Sequence, residues 1–236
     1  MQQAKELFSK GKFEECISYL KLKSEAETAN TPEQLHLLGQ INELIGQCYH
    51  KLDKFQQAND YFQRGLTLFQ ECSSPDTNSI ISMKLNLLEL NLEIAKYSET
   101  YTEFLAVKAL LENSNQTDAE LYARALLGLG QSLIKLGKFQ DGLLNLKKAH
   151  KIAKKTNPKH SDLIITILLR LAELSIILAK YSDFLKYINS AKKLISAEYN
   201  DDKFELLQAN ILLATYFYEI SNYQEAWKMF EFCLEH

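Results

Sequence analysis

An aromatic residue returns every 42 positions along this chain of 236 residues. The six rings, called the anchor rings below, are Phe13, Phe55, Tyr97, Phe139, Tyr181 and Tyr223. A lysine precedes each of the first five, and Asn222 precedes the sixth. A fixed period of this length is typical of repeat architectures, in which each repeat buries its apolar face against its neighbours. The spacing therefore predicts a single elongated domain over residues 1–236, built from six similar repeats.

Composition favours helices and limits the functional classes. The chain has only 8 Gly and 3 Pro, and helix-forming residues abound. Its net charge of −3 argues against a nucleic-acid-binding protein, which normally carries a basic excess. No apolar run approaches the roughly 20 residues that a membrane span needs, and the N-terminus lacks the features of a signal peptide. Four cysteines without C-x-x-C spacing fit free thiols in a reducing compartment, so we expect a cytoplasmic protein.

Each repeat shows the pattern of two helices joined by a tight turn. In the fourth repeat, Leu126, Leu129 and Leu133 form an apolar helical stripe before the anchor ring, and a second stripe follows the ring. Gly137 supplies the turn, where a permissive backbone is needed. Thr31-Pro32-Glu33-Gln34 and Thr117-Asp118-Ala119-Glu120 have the pattern of capping boxes and predict helix starts.

Two further columns share the period. The residue nine positions before the anchor ring is small in five repeats: Ala4, Gly46, Gly130, Ala172 and Ala214. In the third repeat this position holds Leu88. The residues seven positions after the anchor are all bulky and apolar: Leu20, Phe62, Phe104, Leu146, Ile188 and Phe230. Small residues opposite large ones let helices approach closely, and burial of one large side chain stabilises by about 1.5–3 kcal/mol.

These columns resemble the tetratricopeptide repeat (TPR). The matching residues in two repeats are Gly46, Phe55, Ala58 and Phe62, and then Gly130, Phe139, Gly142, Leu146 and Ala149. The usual TPR has 34 residues, so a 42-residue repeat implies longer helices, as in the similar repeats of kinesin light chains. The resemblance implies an all-α fold, a right-handed superhelix (α-solenoid) of six helix-turn-helix TPR-like repeats.

The resemblance also implies a partner surface, because the first helix of each TPR lines the inner face of the array. Projection onto that geometry selects twelve residues: Gln47, His50, Leu85, Glu89, Leu92, Leu127, Gln131, Ile134, Leu169, Glu173, Ile176 and Tyr218. The Gln and Glu residues would hydrogen-bond an extended peptide, and the Leu and Ile residues would accept its apolar side chains. We expect the apolar members, together with Ile211, to be exposed. The alternative is that the polar residues are only the solvated face of amphipathic helices.

A second candidate surface is a basic stripe in the fourth repeat. Its members are Lys147, Lys148, Lys151, Lys154 and Lys155. The stripe would attract an acidic partner. The alternative is a solvated helix face without a specific partner.

The sequence lacks the motifs of catalysis and cofactor binding. It contains no phosphate-binding loop, no G-x-G-x-x-G fingerprint in a strand-to-helix loop and no H-E-x-x-H. Histidines and cysteines are scattered over different repeats, which argues against a metal site. We therefore expect no enzyme activity, no cofactor and no small-molecule substrate.

The sequence predicts a non-catalytic scaffold that binds a peptide segment or a partner protein in its concave groove. Two alternatives remain open, a peptide-sensing domain of a larger regulator and a structural subunit of a large assembly. Leu234-Glu235-His236 matches the start of a histidine tag, so we expect residues 234–236 to be an expression-tag remnant.

Overall fold

The computed structural model describes residues 1–28, 30–72, 76–113, 118–156, 161–198 and 204–235. These ranges contain α-helices and no strands. The chain divides into two compact units, an N-terminal unit of residues 1–103 and a C-terminal unit of residues 104–236. The all-α repeat fold is confirmed, whereas the single continuous domain stays a prediction.

Helices follow one another in pairs along the described ranges. In the N-terminal unit they are α1 (Gln2–Ser9), α2 (Phe13–Glu25), α3 (Pro32–Lys51), α4 (Phe55–Glu71) and α5 (Thr77–Glu93). Helix α6 (Tyr97–Asn113) contains the boundary between the units. In the C-terminal unit they are α7 (Ala119–Lys135), α8 (Phe139–Thr156), α9 (Ser161–Ile177), α10 (Tyr181–Glu198), α11 (Phe204–Glu219) and α12 (Tyr223–Glu235). The second helix of every pair begins at its anchor ring, as the period predicts.

Every pair is closed by the same backbone turn, two residues before the anchor ring. The residue at this position always has a left-handed φ: Gly11 (71°), Asp53 (56°), Ala95 (65°), Gly137 (76°), Ala179 (53°) and Ser221 (62°). The next N–H donates to the carbonyl five residues earlier, for example Lys138 N to Leu133 O at 2.8 Å and Lys180 N to Ser175 O at 2.8 Å. This is the Schellman arrangement, which satisfies helix-end carbonyls through the backbone alone.

Non-glycine residues in this turn carry a conformational cost that glycine would remove. A left-handed backbone costs an L-residue about 1–2 kcal/mol. Ala179→Gly is therefore expected to raise the free energy of unfolding by about 1 kcal/mol, measured as the midpoint of urea denaturation. Ala109→Gly is the matched control, since Ala109 is exposed within α6 and its replacement should destabilise by about 1 kcal/mol. A lower midpoint for Ala179→Gly would contradict this explanation.

Helix starts agree in part with the predicted caps. Thr31 Oγ1 accepts from Gln34 N at 3.2 Å and Gln34 Oε1 accepts from Thr31 N at 3.1 Å, so the first capping box is confirmed. The second box is wrong in its register. Asp118, rather than Thr117, is the cap of α7, and its Oδ1 accepts from Glu120 N at 2.9 Å. Thr117 lies outside the described residues.

Small residues pack against large ones where two helices meet, as the two repeated columns of small and bulky residues predict. In the N-terminal unit a Cβ on Gly46 of α3 would collide with the ring of Phe62 of α4. In the C-terminal unit a Cβ on Gly130 of α7 would collide with Leu146 of α8. The two helices in each of these pairs can therefore approach closely because Gly46 and Gly130 carry no Cβ.

Successive pairs also pack on each other within each unit. In the N-terminal unit, α3 contacts α5, and in the C-terminal unit α9 contacts both α7 and α11. The first helices of neighbouring pairs thus lie side by side. Within each unit, this arrangement places the helices that carry the predicted partner-binding residues next to one another.

Candidate functional site

The predicted polar column is half-buried on the first helices of four pairs. Gln47 lies on α3, Glu89 on α5, Gln131 on α7 and Glu173 on α9. Each side chain retains contact with solvent. This placement suits residues that hydrogen-bond a ligand.

The predicted exposure of the apolar flanks is wrong for four residues. Their exposed fractions are 0% for Leu85, 8% for Leu92, 6% for Leu127 and 4% for Leu169. The reason is that α5, α7 and α9 are buried around most of their circumference, and each contacts at least two neighbouring helices. Such helices are core elements, and they leave only a narrow stripe for solvent.

The remaining apolar members differ in their access to solvent. Ile134 and Ile176 are half-buried, and Ile134 packs beside Gly142 within its own pair. Ile211 is 41% exposed and Tyr218 is 59% exposed, both on α11. Among the predicted apolar residues, those that are exposed lie on α11.

In the N-terminal unit, a glutamate joins two first helices. Glu43 Oε1 of α3 accepts hydrogen bonds from Ser82 Oγ at 2.7 Å and Asn86 Nδ2 at 3.0 Å, both on α5. Charged acceptors make stronger hydrogen bonds than neutral ones, so this contact fixes the register of α3 on α5. Glu43 is not among the twelve predicted partner-binding residues. Its partners lie 39 and 43 residues away, near one repeat period, which is the signal that could have identified it.

His50 is a half-buried member of the predicted surface in the same unit. Its ring meets the anchor ring of Phe55 edge-on, with centroids 6.1 Å apart. Burial lowers the pKa of His50, and the negative charges of Glu89 and Glu93 partly oppose this effect. The side chain is therefore neutral at physiological pH and acts as an aromatic neighbour of the anchor ring.

In the C-terminal unit, the structure forms a cleft between two first helices. It has a volume of about 140 Å³ and is lined by Leu169, Arg170 and Glu173 of α9 and Gln208, Ile211 and Leu212 of α11. We call it the α9–α11 cleft. Pockets for drug-sized ligands usually have about 300–1,000 Å³, so this cleft suits a single side chain or a short peptide segment.

Arg170 and Glu173 give the cleft its polar edge. Arg170 Nη1 lies 2.9 Å from Glu173 Oε2, one helical turn apart. Arg170 Nε is buried and has no hydrogen-bond partner among the described residues. An unpaired buried donor costs about 1–3 kcal/mol.

The cleft includes two residues of the predicted partner surface, Leu169 and Glu173, and also Ile211, which was expected to be exposed beside that surface. Arg170, Gln208 and Leu212 were not predicted. A lone arginine in the apolar run of α9 was an available signal, since such a charge needs a partner or solvent. Gln131, Ile134, Ile176 and Tyr218 do not line this cleft.

The basic stripe lies on α8. All five lysines, Lys147, Lys148, Lys151, Lys154 and Lys155, are exposed. The positive charge of Lys148 contributes to a lowered pKa of Glu112, after the larger effects of Lys108 and Tyr122. Binding of an acidic partner by this stripe stays a prediction.

Among the residues that the structure describes, there is no group of three or more His, Cys, Asp or Glu placed to hold a metal ion. No helix within them combines the length and the apolar character needed to cross a bilayer.

No protein-family model matches the chain, and no curated protein matches its sequence. Solved structures do resemble it. A Rap protein complexed with Competence and Sporulation Factor matches with a TM-score of 0.73 and 13% identity, over 99% of this chain and 72% of that one. The Rap conjugation gene regulator of the plasmid pLS20, in complex with the Phr* peptide, matches with a TM-score of 0.66 and 13% identity. That match covers 83% of this chain and about half, 52%, of the regulator.

A putative kinesin light chain from Podosopora anserina with nearly identical TPR-like repeats is also similar. Its TM-score is 0.58 at 13% identity, over 86% of this chain and 94% of that chain. Identities this low establish the fold alone. The predicted resemblance to TPR proteins is confirmed at the level of the fold, including its similarity to kinesin-light-chain repeats.

Proposed function

We propose that this chain is a non-catalytic, cytoplasmic scaffold that binds a peptide segment of a partner protein, and that the α9–α11 cleft is part of its binding surface. The observation that carries the proposal is the cleft itself, with exposed Ile211 beside Gln208 and the Arg170–Glu173 pair. Buried free thiols, such as Cys16 and Cys48, support a reducing compartment.

The chemistry of the cleft suits an extended peptide. The Gln208 amide both donates and accepts, so it matches a peptide backbone, while Ile211 and Leu212 offer an apolar contact to one ligand side chain. Arg170 and Glu173 carry opposite charges, so the cleft has no net preference for an acidic or basic ligand. The fold is shared with a Rap regulator in complex with the Phr* peptide, which supports a peptide as the ligand class.

Selection from a random peptide library on the intact chain tests this proposal. Peptides that bind are then measured by fluorescence anisotropy against variants. Ile211→Arg is expected to weaken binding by about tenfold or more, equivalent to about 1.4 kcal/mol, because it places a charge in the apolar contact. Ile177→Arg is the matched control, because Ile177 is 50% exposed on α9 and does not line the cleft.

Equal affinity for wild type and Ile211→Arg would exclude the cleft as the binding surface. Equal losses in both variants would indicate a general effect of added charge. The Rap likeness also favours a second candidate function, a peptide-sensing regulator. For a sensor, small-angle scattering should show a change in the dimensions of the chain on addition of a selected peptide, whereas a passive scaffold should keep them.

A further inference from the structure

The basic stripe on α8 carries more positive charge than the stability of the helix explains. The charged side chains of α8 are five lysines and one acid, Asp141, whereas the whole chain has a net charge of −3. Two of the lysines lie in the last turn of the helix, where the helix dipole favours positive charge. The other three, Lys147, Lys148 and Lys151, lie before that turn, beyond the reach of this effect.

The lysines of the stripe repel one another without compensation. Lys151 is at the centre, because it lies three or four residues from each of the other four. Like charges at this spacing share one side of a helix and destabilise it. Within the described residues, none of the ion pairs involves a lysine of the stripe. The stripe is therefore a concentration of positive charge that no neighbouring carboxylate neutralises in that part of the chain.

A second helix of the C-terminal unit extends this positive surface. Helix α9 contacts both α8 and α10, so these two helices flank it. His150 is half-buried on α8, and burial lowers its pKa. Among the described residues, the charged groups that act on the imidazole are Lys154 of α8 and Lys186 of α10, and both lower the pKa further. Lys186 is exposed, and we call the basic stripe together with His150 and Lys186 the α8–α10 surface.

The type of cation indicates which anion fits. The permanently charged members of the α8–α10 surface are all lysines. A lysine is a hydrated point charge on a flexible stem, and it lacks the fixed geometry with which an arginine recognises one carboxylate or phosphate. Several lysines therefore attract an anion through their summed charge and accept acidic side chains in many arrangements.

The size of the anion follows from the charge of the whole chain. A long polyanion, such as a nucleic acid, would extend beyond the lysines and meet a chain whose net charge is −3. An anionic membrane would be repelled for the same reason. A short acidic segment needs contact with the α8–α10 surface alone, so it gains the attraction without this repulsion.

We infer that the α8–α10 surface binds a short segment of a partner protein that is rich in Asp and Glu. Recognition depends on the number of carboxylates and tolerates changes in their order. A carboxylate beside His150 also favours the protonated imidazole, so binding takes up a proton. The surface lies on second helices and the α9–α11 cleft on first helices, so this inference goes beyond the proposed function and does not depend on it.

A synthetic peptide tests the inference on the intact chain. The probe is a fluorescent peptide of roughly 12 residues in which Asp and Glu alternate with Ser and Gly, and its affinity is measured by fluorescence anisotropy. Wild type is expected to bind it, and affinity should fall about tenfold between roughly 20 and 200 mM salt, because salt screens exposed charges. A peptide of the same composition in scrambled order should bind within about twofold of the first.

Two double variants with the same change in net charge locate the surface. Lys151→Gln with Lys186→Gln removes one charge from each helix and should weaken binding about fivefold or more at low salt. Lys10→Gln with Lys96→Gln is the matched control, because both lysines are exposed in the N-terminal unit, and affinity should change by less than about twofold. Ile211→Arg should not weaken binding of the acidic peptide, which separates this test from that of the cleft.

The pH dependence tests the role of His150. The peptide carboxylates stay ionised between pH 8 and 6, whereas binding raises the pKa of His150 towards this range. Affinity is therefore expected to rise about threefold or more as the pH falls from about 8 to about 6. His150→Gln should bind like wild type at pH 8 and lose this dependence. A dependence that persists in the variant would exclude His150 from the surface.

Four outcomes would overturn the inference. The first two are the absence of binding to wild type and equal losses in the two lysine variants, since the second would reflect net charge alone. Much weaker binding of the scrambled peptide would show that the site recognises a defined sequence. Tighter binding of a single-stranded DNA of equal charge, lost in the Lys151→Gln, Lys186→Gln variant, would assign the surface to a nucleic acid.

Discussion

Replacing Gly128 with alanine is expected to lower the free energy of unfolding by about 2–3 kcal/mol, an effect of overpacking. A Cβ at this position of α7 would occupy the space of the Phe104 ring, which has an exposed fraction of 0%. Helix propensity alone would favour alanine over glycine by about 0.5–1 kcal/mol, so a loss of stability shows that packing outweighs propensity. Thermal unfolding followed by circular dichroism should register a fall of about 5–10 °C in the midpoint.

A compensating change makes the Gly128 experiment specific. Phe104→Leu removes part of the ring and should cost about 1 kcal/mol or more alone. Combined with Gly128→Ala it should cost less than the sum of the two single changes, since the smaller side chain makes room for the methyl group. Gln140→Ala on the exposed face of α8 is the control and should stay within about 0.5 kcal/mol of wild type. Strict additivity of the two changes would show that the residues do not share one packing contact.

Leu85→Ala is expected to destabilise the chain by about 2–5 kcal/mol, the usual cost of deleting a buried leucine side chain. Leu85 was selected from the sequence as a partner-binding residue, but it is fully buried on α5. The same measurement of the thermal midpoint applies. Leu22→Ala is the matched control in the N-terminal unit, because Leu22 is 69% exposed, and it should change the stability by less than about 0.5 kcal/mol. An unchanged midpoint for Leu85→Ala would restore its assignment to an open surface.

The positions of the helices were predictable because they depend on local spacing. The second helix of each pair begins at its anchor ring, and Gly46 and Gly130 lie under the bulky residues that the columns selected. The Thr31 capping box was predictable for the same reason, since all its hydrogen bonds are made within four residues. The register of the α7 cap was not, because both Thr117 and Asp118 have suitable side chains.

The candidate site was less predictable because it depends on which helices contact each other. Projection onto a generic repeat placed Leu85 and Leu127 on an open face, whereas burial depends on the neighbours of α5 and α7. Both helices are apolar around most of their circumference, and this pattern is typical of a helix in the core. The projection took no account of it. The α9–α11 cleft depends on the separation of two helices, and no spacing along the chain specifies a distance of that kind.

The uniform left-handed turn has a consequence for how far sequences of this fold can differ. Its hydrogen bonds join backbone atoms only, and its central position holds glycine, aspartate, alanine or serine in different repeats. A turn held by backbone hydrogen bonds accepts different side chains at its central position. Chains with little sequence in common can therefore have the same fold. Such a chain can have the same fold as a Rap protein at 13% identity and still match no family model.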